Sequence, residues 1–354
     1  MAALPSAPPL SGHLVIGIDT HKHLHVAAAL DTIAGPQDSL TFTNDSDGYA
    51  QLTQWAADLG QVIAFGIEGT GSYGQTLTRY LHQQGCRVIE VNRPDRAARA
   101  RKGKSDAVDA ENAARAVLSG LATATPKSAD GAAEAIRRLK VAYNTGVKCR
   151  SQTMNALKNL LVHADEPLRN ACAGLSAPKL ARKLSRLRPG PTGGPDQAAR
   201  VGLRSLARRW IVLDEEVHDL TAQIEALVQS HAPELLEVFG IGPDVAAEIL
   251  IVVGDNPDRI NSEAALAKIA GACPIPAGSG KTDGRHRLNR GGNRTLNSAL
   301  YHVVLCRMRF HQPTKAYLAR RMAEGKNKRE IIRCLKRYVV REVYRVLKPD
   351  PTPT

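Results

Sequence analysis

No two cysteines of this chain stand in a C-x-x-C pair. The six that occur (Cys86, Cys149, Cys172, Cys273, Cys306 and Cys334) join no Cys/His grouping at zinc-ligand spacing. This excludes a zinc-ribbon or disulfide framework and reads as reduced thiols in a cytosolic protein. No apolar stretch reaches the roughly 20 residues that a membrane span needs. The first residues, Met1 to Ser11, are rich in Pro and Ala and have no basic start, so no signal peptide is expected. Acidic residues are scarce in one region. Between Lys281 and Lys348 there are 4 Asp/Glu against 19 Lys/Arg, whereas the formal charge of all 354 residues is only +14. The remainder is therefore close to neutral, and this C-terminal segment is a basic surface suited to a polyanion such as nucleic acid.

Against this background four acids stand out. Asp19 ends the apolar run from His13 to Ile18, and Glu68 ends a second run, Val62–Ile67. Asp106 and Asp109 are three residues apart, which puts them on one face of a helix. Carboxylates gathered at the ends of buried strands repel one another unless a cation lies between them. The pattern suggests a divalent-metal site for phosphodiester chemistry, with hard oxygen ligands suited to Mg²⁺. For Asp106 and Asp109 a plain helix-start role competes with this reading.

Residues 13 to about 120 read as α/β. Strands are expected at Leu14–Ile18, His25–Leu30, Ser39–Thr43, Val62–Ile67 and Arg87–Val91, and helices at Asp47–Leu59, Tyr73–Gln84 and Asp106–Leu118. Three strands, then alternating helices and strands, is the order of a ribonuclease-H-like domain. From about 131 the pattern turns helical. Leu203, Leu206, Trp210, Leu213, Val217, Leu220, Ile224 and Leu227 step by three and four, an a/d heptad seam. A less regular seam runs from Ile136 to Leu161. Two long helices are expected, joined near the Pro/Gly-rich loop Arg188–Pro195, and pairing either with each other or across a subunit interface.

The C-terminal third opens with helix, Gly240-Ile241-Gly242, helix, which resembles a helix-hairpin-helix. Its glycines permit a tight turn, and free amides at the second helix start can bind a phosphate; an ordinary turn between packed helices is the alternative. Ser279 lies between Gly278 and Gly280 in a Gly/Pro-rich loop, followed by Lys281, Arg285, Arg287, Arg290 and Arg294. Its hydroxyl could form a covalent phosphoserine, with the cations stabilising phosphate charge. Serine in such a turn is more commonly only a turn residue. Helices are expected over Thr295–Arg309, Pro313–Glu324 and Lys328–Leu347. His21, His23 and His25 alternate after Asp19; a metal role competes with exposed hairpin positions. Trp55 and Trp210 read as core or seam residues.

Three N-terminal stretches carry a resemblance: Val15–Asp19, Gly66–Gly71 and Lys104–Ala110. They resemble the RuvC-like domain of DEDD insertion-sequence transposases. Phe239–Pro243, Gly271–Lys281 and Asn289–Leu296 are similar to the second domain of the same family. The resemblance covers nearly the whole chain. It implies a RuvC-like domain over 13–125, a helical coiled-coil dimerisation region over 131–230 and a mostly helical, serine-bearing domain over 231–348, with short tails at 1–12 and 349–354. It further implies Asp19, Glu68, Asp106 and Asp109 as ligands of Mg²⁺, and Ser279 as the nucleophile. Implied partners are donor and target DNA, a structured non-coding bridge RNA and further copies of the chain, a dimer assembling to a tetramer, in a cytoplasmic, nucleoid-associated setting. Three other readings remain: a hydrolytic RuvC-like nuclease, an ATPase of the actin and sugar-kinase superfamily, and a non-catalytic nucleic-acid-binding protein.

Overall fold

A computed structural model of the chain describes residues 12–92, 105–191, 193–283, 286–289 and 291–348. It divides into two units, one running to Gly131 and taking in Val253–Asn261, the other comprising Ala132–Val252 and the chain from Ser262 onward.

The first unit is built on a five-stranded sheet. Its strands are β1 (Leu14–Thr20), β2 (Leu24–Asp31), β3 (Gly35–Thr43), β4 (Val62–Glu68) and β5 (Val88–Val91), in the order β3-β2-β1-β4-β5. β1, β2 and β3 form an antiparallel meander, whereas β4 and β5 run parallel to β1. The two unbroken apolar runs of the sequence are the adjacent central strands β1 and β4. Strands covered on both faces need apolar residues at every position. One face packs on α1 (Ser46–Leu59) and α2 (Gln75–Gln83), where Ile16, Ile18, Phe65 and Ile67 meet Leu52, Leu77 and Leu81. The other face is covered by α3 (Asp106–Leu118), where Ala114 and Val117 pack on Val15 and Leu30.

The approach of α3 to the sheet is unusually close, and two glycines make it possible. A Cβ on Gly17 would stand 2.0 Å from the Ala110 carbonyl oxygen and 2.4 Å from the Ala114 nitrogen. One on Gly66, the register partner of Gly17 in β4, would stand 2.7 Å from the Val117 side chain. The helix answers with a face of small residues, Ala110, Ala113 and Ala114, all buried. The alanine-rich composition of this helix thus has a packing cause.

The segment Val253–Asn261 belongs to this unit although the sequence suggests that it lies wholly within the C-terminal domain. Asn256 holds both sides of a backbone stretch, donating to the Pro126 carbonyl (3.0 Å) and accepting from the Ser128 amide (3.1 Å). Arg259 donates to the Thr125 carbonyl and lies 3.8 Å from the Glu90 carboxylate. These polar ties come from side chains far apart in sequence, so no local pattern announces them.

In the second unit two long helices, α4 (Ala132–Val162) and α7 (Pro195–His231), lie side by side. Gly146 faces Val217, Arg150 bonds Asp214 at 2.7 Å, and Gly202 faces Leu160, so rising numbers in one meet falling numbers in the other. The pairing is antiparallel. The connection is not the expected loop alone. Two short helices, α5 (Glu166–Cys172) and α6 (Ala177–Ser185), intervene and close the end of the pair over Met154, Leu157, Leu203 and Trp210. Along the seam of α7, Leu203, Trp210, Val217 and Ile224 are buried, but Leu206, Leu213, Leu220 and Leu227 are only half-buried.

Further along are α8 (Pro233–Glu237), α9 (Pro243–Val253), α10 (Glu263–Ile269), the ribbon β6 (Pro274–Pro276) with β7 (His286–Leu288), and then α11 (Arg294–Phe310), α12 (Gln312–Ala323) and α13 (Lys328–Leu347). The last three match the expected helices to within a residue or two. The Gly240-Ile241-Gly242 turn does lie between two helices, but the first is only 5 residues long. Gly240 takes a positive φ of 84°, open to glycine at little cost. The turn is held from α11, where buried Arg307 donates to the Phe239 carbonyl at 2.8 Å and grips Glu342 of α13 with both ends of its guanidinium.

Substitution Gly17→Ala is expected to lower the thermal unfolding midpoint of the full chain by overpacking against the α3 backbone, a cost of at least about 1–3 kcal/mol. Gly71→Ala, which meets nothing within 4 Å, serves as the control and should be nearly silent. Equal effects of the two would contradict the packing described. A second expectation concerns the β2–β3 turn. The Asp31 carboxylate accepts from the amides of Ala34, Ile33 and Gly12, and these bonds hold its pKa below the ordinary value. A depressed folded pKa stabilises above the unfolded value of about 4 and is lost as pH falls through the folded pKa. Asp31→Asn should therefore flatten the acid limb of a stability profile below about pH 4, measured by thermal melting; an unchanged limb would remove Asp31 from the account.

Candidate active site

Alternation along a strand puts Val15, Gly17 and Asp19 on one face of β1, and Ala64, Gly66 and Glu68 on the same face of β4. That face is the one α3 covers. Both acids occupy the C-terminal strand ends, side by side, since Ile18 and Ile67 are register partners. Thr20 ties the ends together by donating its hydroxyl to the Glu68 carbonyl at 2.7 Å. The chain then turns through Gly69, with φ 76°, where a Cβ would press on that same hydroxyl at 2.9 Å. Gly66 itself lies within β4 beneath α3, not in a phosphate-binding loop.

The N-terminal end of α3 supplies the other two acids. Ser105 caps the helix, its hydroxyl accepting from the Val108 amide, so the cap is a serine and neither acid fills that position. Asp106 and Asp109 lie in the first turn, where the helix dipole favours negative charge. Asp109 is buried, at 3% exposure, and Asp19 nearly so at 9%, whereas Asp106 is open to solvent.

Between Asp19 and Asp106 stands His21. Its Nε2 lies 3.3 Å from Asp19 Oδ2 and 3.4 Å from Asp106 Oδ2. One ligand atom from each of the three falls within 4.8 Å of the others, a grouping able to hold a metal ion. Two carboxylate oxygens and one imidazole nitrogen are donors that a divalent cation can take. The three alternating histidines divide in role. His23 is exposed. His25 is a core residue on β2, edge-on to Phe42 and stacked on Tyr49, with its pKa lowered by burial. Its Nδ1 accepts from the His21 amide at 3.1 Å, so a neutral, buried imidazole holds the turn that carries His21. The sequence offered His21 only as one of three candidates; its place between two acids depends on where α3 docks.

Ser279 and the basic residues belong to the second unit. Ser279 is exposed, on the segment between β6 and β7, and a tight turn at Gly280–Thr282 follows it, with Gly280 at φ 54°. Lys281 is exposed, Arg287 sits on β7 opposite Ile275, and Arg294 begins α11. Arg285 and Arg290, like Lys104, lie outside the described residues. The base of this ribbon is fixed by backbone contact. A Cβ on Gly292 would be 2.2 Å from the Gly271 nitrogen, and the Asn293 amide donates to the Ile269 carbonyl at 2.6 Å. Gly240 and Gly242 form the turn described above.

Comparison with known proteins gives two matches in chain order. A DEDD transposase model of the IS110 type, described as a transposase, matches residues 16–164, which include the four acids. A second, described as transposase IS116/IS110/IS902 family, matches residues 232–319, which include Ser279. Among individual proteins, the insertion element IS900 uncharacterized 42 kDa protein of Mycobacterium paratuberculosis is 31% identical over 157 residues, 44% of this chain and 39% of that protein. The insertion element IS110 uncharacterized 43.6 kDa protein of Streptomyces coelicolor is 31% identical over 146 residues, 41% of this chain and 36% of that protein. These two alignments thus span well under two-thirds of the relatives' length. The mini-circle putative transposase for IS117 of Streptomyces coelicolor is 25% identical over 80% of this chain and 81% of its own. Matched in order by two models of these insertion-element transposases, on the acids and on the serine, the chain belongs to the IS110 family of DEDD transposases.

Proposed function

We propose that this chain is an RNA-guided, site-specific DNA recombinase that moves an insertion element, cutting and rejoining strands through a covalent phosphoserine. The observation that carries the reading is the convergence of Asp19, His21 and Asp106 within 4.8 Å, in a chain whose second family match bears Ser279. Asp19, Glu68, Asp106 and Asp109 hold a divalent cation, with His21 as a further ligand. Such a cation, when bound, draws negative charge from phosphate oxygens and favours displacement at phosphorus.

The protein's own residues do the rest. Ser279 Oγ attacks phosphorus, a phosphoserine ester forms, and the bond to a strand oxygen breaks. The serine proton is lost to solvent or a nearby base, and the departing strand oxygen takes up a proton to become a hydroxyl. Attack by another strand's hydroxyl reverses the chemistry and frees the serine. One ester replaces another at each step, so no nucleotide cofactor is needed. Lys281 and the arginines beside it offset phosphate charge. The basic segment Lys281–Lys348, with 19 Lys/Arg against 4 Asp/Glu, grips nucleic-acid backbone, while base pairing with a structured bridge RNA selects donor and target DNA. The half-buried positions Leu206, Leu213, Leu220 and Leu227 offer a second copy of the chain a place to pack, supporting a dimer that assembles to a tetramer. Among the described residues no helix is long and apolar enough to cross a membrane. Cytoplasmic, nucleoid-associated action is part of the proposal.

The test uses the full chain with the RNA and DNA ends of its element. A covalent protein–DNA adduct should form, disappear on chelation of divalent ions, and disappear in Ser279→Ala. Asp19→Asn should reduce its rate by more than about 10²-fold. Cleavage that persists in Ser279→Ala with no adduct in either protein would establish a hydrolytic nuclease instead. Binding without cleavage under any divalent ion would establish a non-catalytic nucleic-acid-binding protein.

A further inference from the structure

The second unit contains a cavity of about 450 Å³ beside the β6–β7 ribbon, within the size range of small-ligand sites. Arg287 from β7, Arg294 from the start of α11 and Arg333 from α13 all line it, with Asn289 and Asn297. Gly271 and Gly292 complete the wall. Among the described residues no carboxylate is in the lining. Among the described residues none of the three guanidiniums has a salt bridge. Elsewhere in the same unit arginines are matched with acids: Arg307 with Glu342, and Arg337 and Arg341 with Glu263.

Three like charges brought to one cavity repel unless an anion sits among them. Guanidinium forks suit the paired oxygens of a phosphate. The cavity wall is also built rigidly. Asn297 donates to the Ala270 and Gly271 carbonyls, at 2.8 and 3.2 Å, which fixes its amide. Lys336, buried beneath, donates to the side-chain and backbone oxygens of Asn297 at 2.8 and 3.0 Å. That places a further cation behind the wall without using it as a surface contact.

We propose that this cavity takes a backbone phosphate of the DNA strand on which Ser279 acts, next to the phosphate that is attacked. The ribbon supplies the link. Arg287 is the register partner of Ile275, and Ser279 follows Ile275 by four residues, a reach of at most about 14 Å along the chain. A phosphate in the cavity therefore lies close along the same strand, which favours DNA over the guide RNA as occupant. Arg287, Arg294 and Arg333 are positioning residues: they set which phosphate meets the serine. The assignment rests on the recombinase reading for the identity of the strand, but not for the presence of a phosphate site.

The probe is a duplex DNA of 30 base pairs of arbitrary sequence, bound to the full chain and followed by fluorescence anisotropy across a salt series. Arg333→Gln should weaken binding about three- to tenfold and reduce the salt slope by about one. Arg333→Lys, which keeps the charge, should restore the slope. Thermal melting of both variants separates lost binding from lost folding, and Arg287→Gln provides the same test from a different element. An RNA strand run in parallel should be little affected. If RNA binding falls and DNA binding does not, or if neither changes in correctly folded Arg333→Gln and Arg287→Gln, the proposal is overturned. If the arginine variants weaken DNA binding but wild type makes no Ser279 adduct, the phosphate site stands and the recombinase reading falls. If the adduct forms at the wild-type rate and DNA binding is unchanged in Arg333→Gln, the reverse holds.

Discussion

Everything at the acidic cluster depends on how closely α3 can lie on β1 and β4. The helix that carries Asp106 brings it to Asp19 and His21 only if its backbone descends onto the strands. With a side chain at position 17 the helix would have to lift, because the Ala110 carbonyl already occupies that space. Gly17 and Gly66 on the sheet and Ala110, Ala113 and Ala114 on the helix are thus one complementary surface, and acid placement follows from it. The cost of gathering negative charge here is moderated by the helix N-terminus, which favours carboxylates in its first turn. The half-buried amide-to-imidazole bond from His21 to His25 holds the intervening turn.

The sheet was legible because its central strands are buried on both faces and so read as apolar runs that stop at an acid. The helix bounds were legible where caps are local, as at Ser105 and at Asn327, whose side chain and that of Glu330 cap α13 reciprocally. His21 was less legible, since its neighbours Asp19 and Asp106 come from elements far apart in sequence. The two glycines were also silent, because their role lies in what is absent from a contact. The short helices α5 and α6, between two long periodic segments, are too short to carry a periodic signature of their own. The return of Val253–Asn261 to the first unit rests on Asn256 and Arg259, single polar residues with no periodic signature. Arg333 shares a cavity with Arg287 from 46 residues away, a relation that only the packing of α13 on α11 reveals.

The two units have different electrostatic tasks. The first brings Asp19 and Asp106 together about His21, a grouping able to hold a metal ion. The second holds an excess of guanidiniums and needs an anion. Phosphate chemistry suits either unit taken by itself, because phosphate oxygens bind a metal and also accept from arginine. Under the proposed reaction Ser279, exposed and flanked by glycines in the basic unit, leaves room for a bulky strand. Sequence choice by base pairing would then leave the protein to recognise charge and shape alone.

The central claim is that the docked α3 completes a divalent-cation site. The most direct measurement is anomalous X-ray diffraction from crystals of the full chain soaked in Mn²⁺. The account predicts a peak within coordination distance of Asp19 and Asp106, with His21 beside it. No peak there, or manganese only at scattered surface carboxylates, would contradict it.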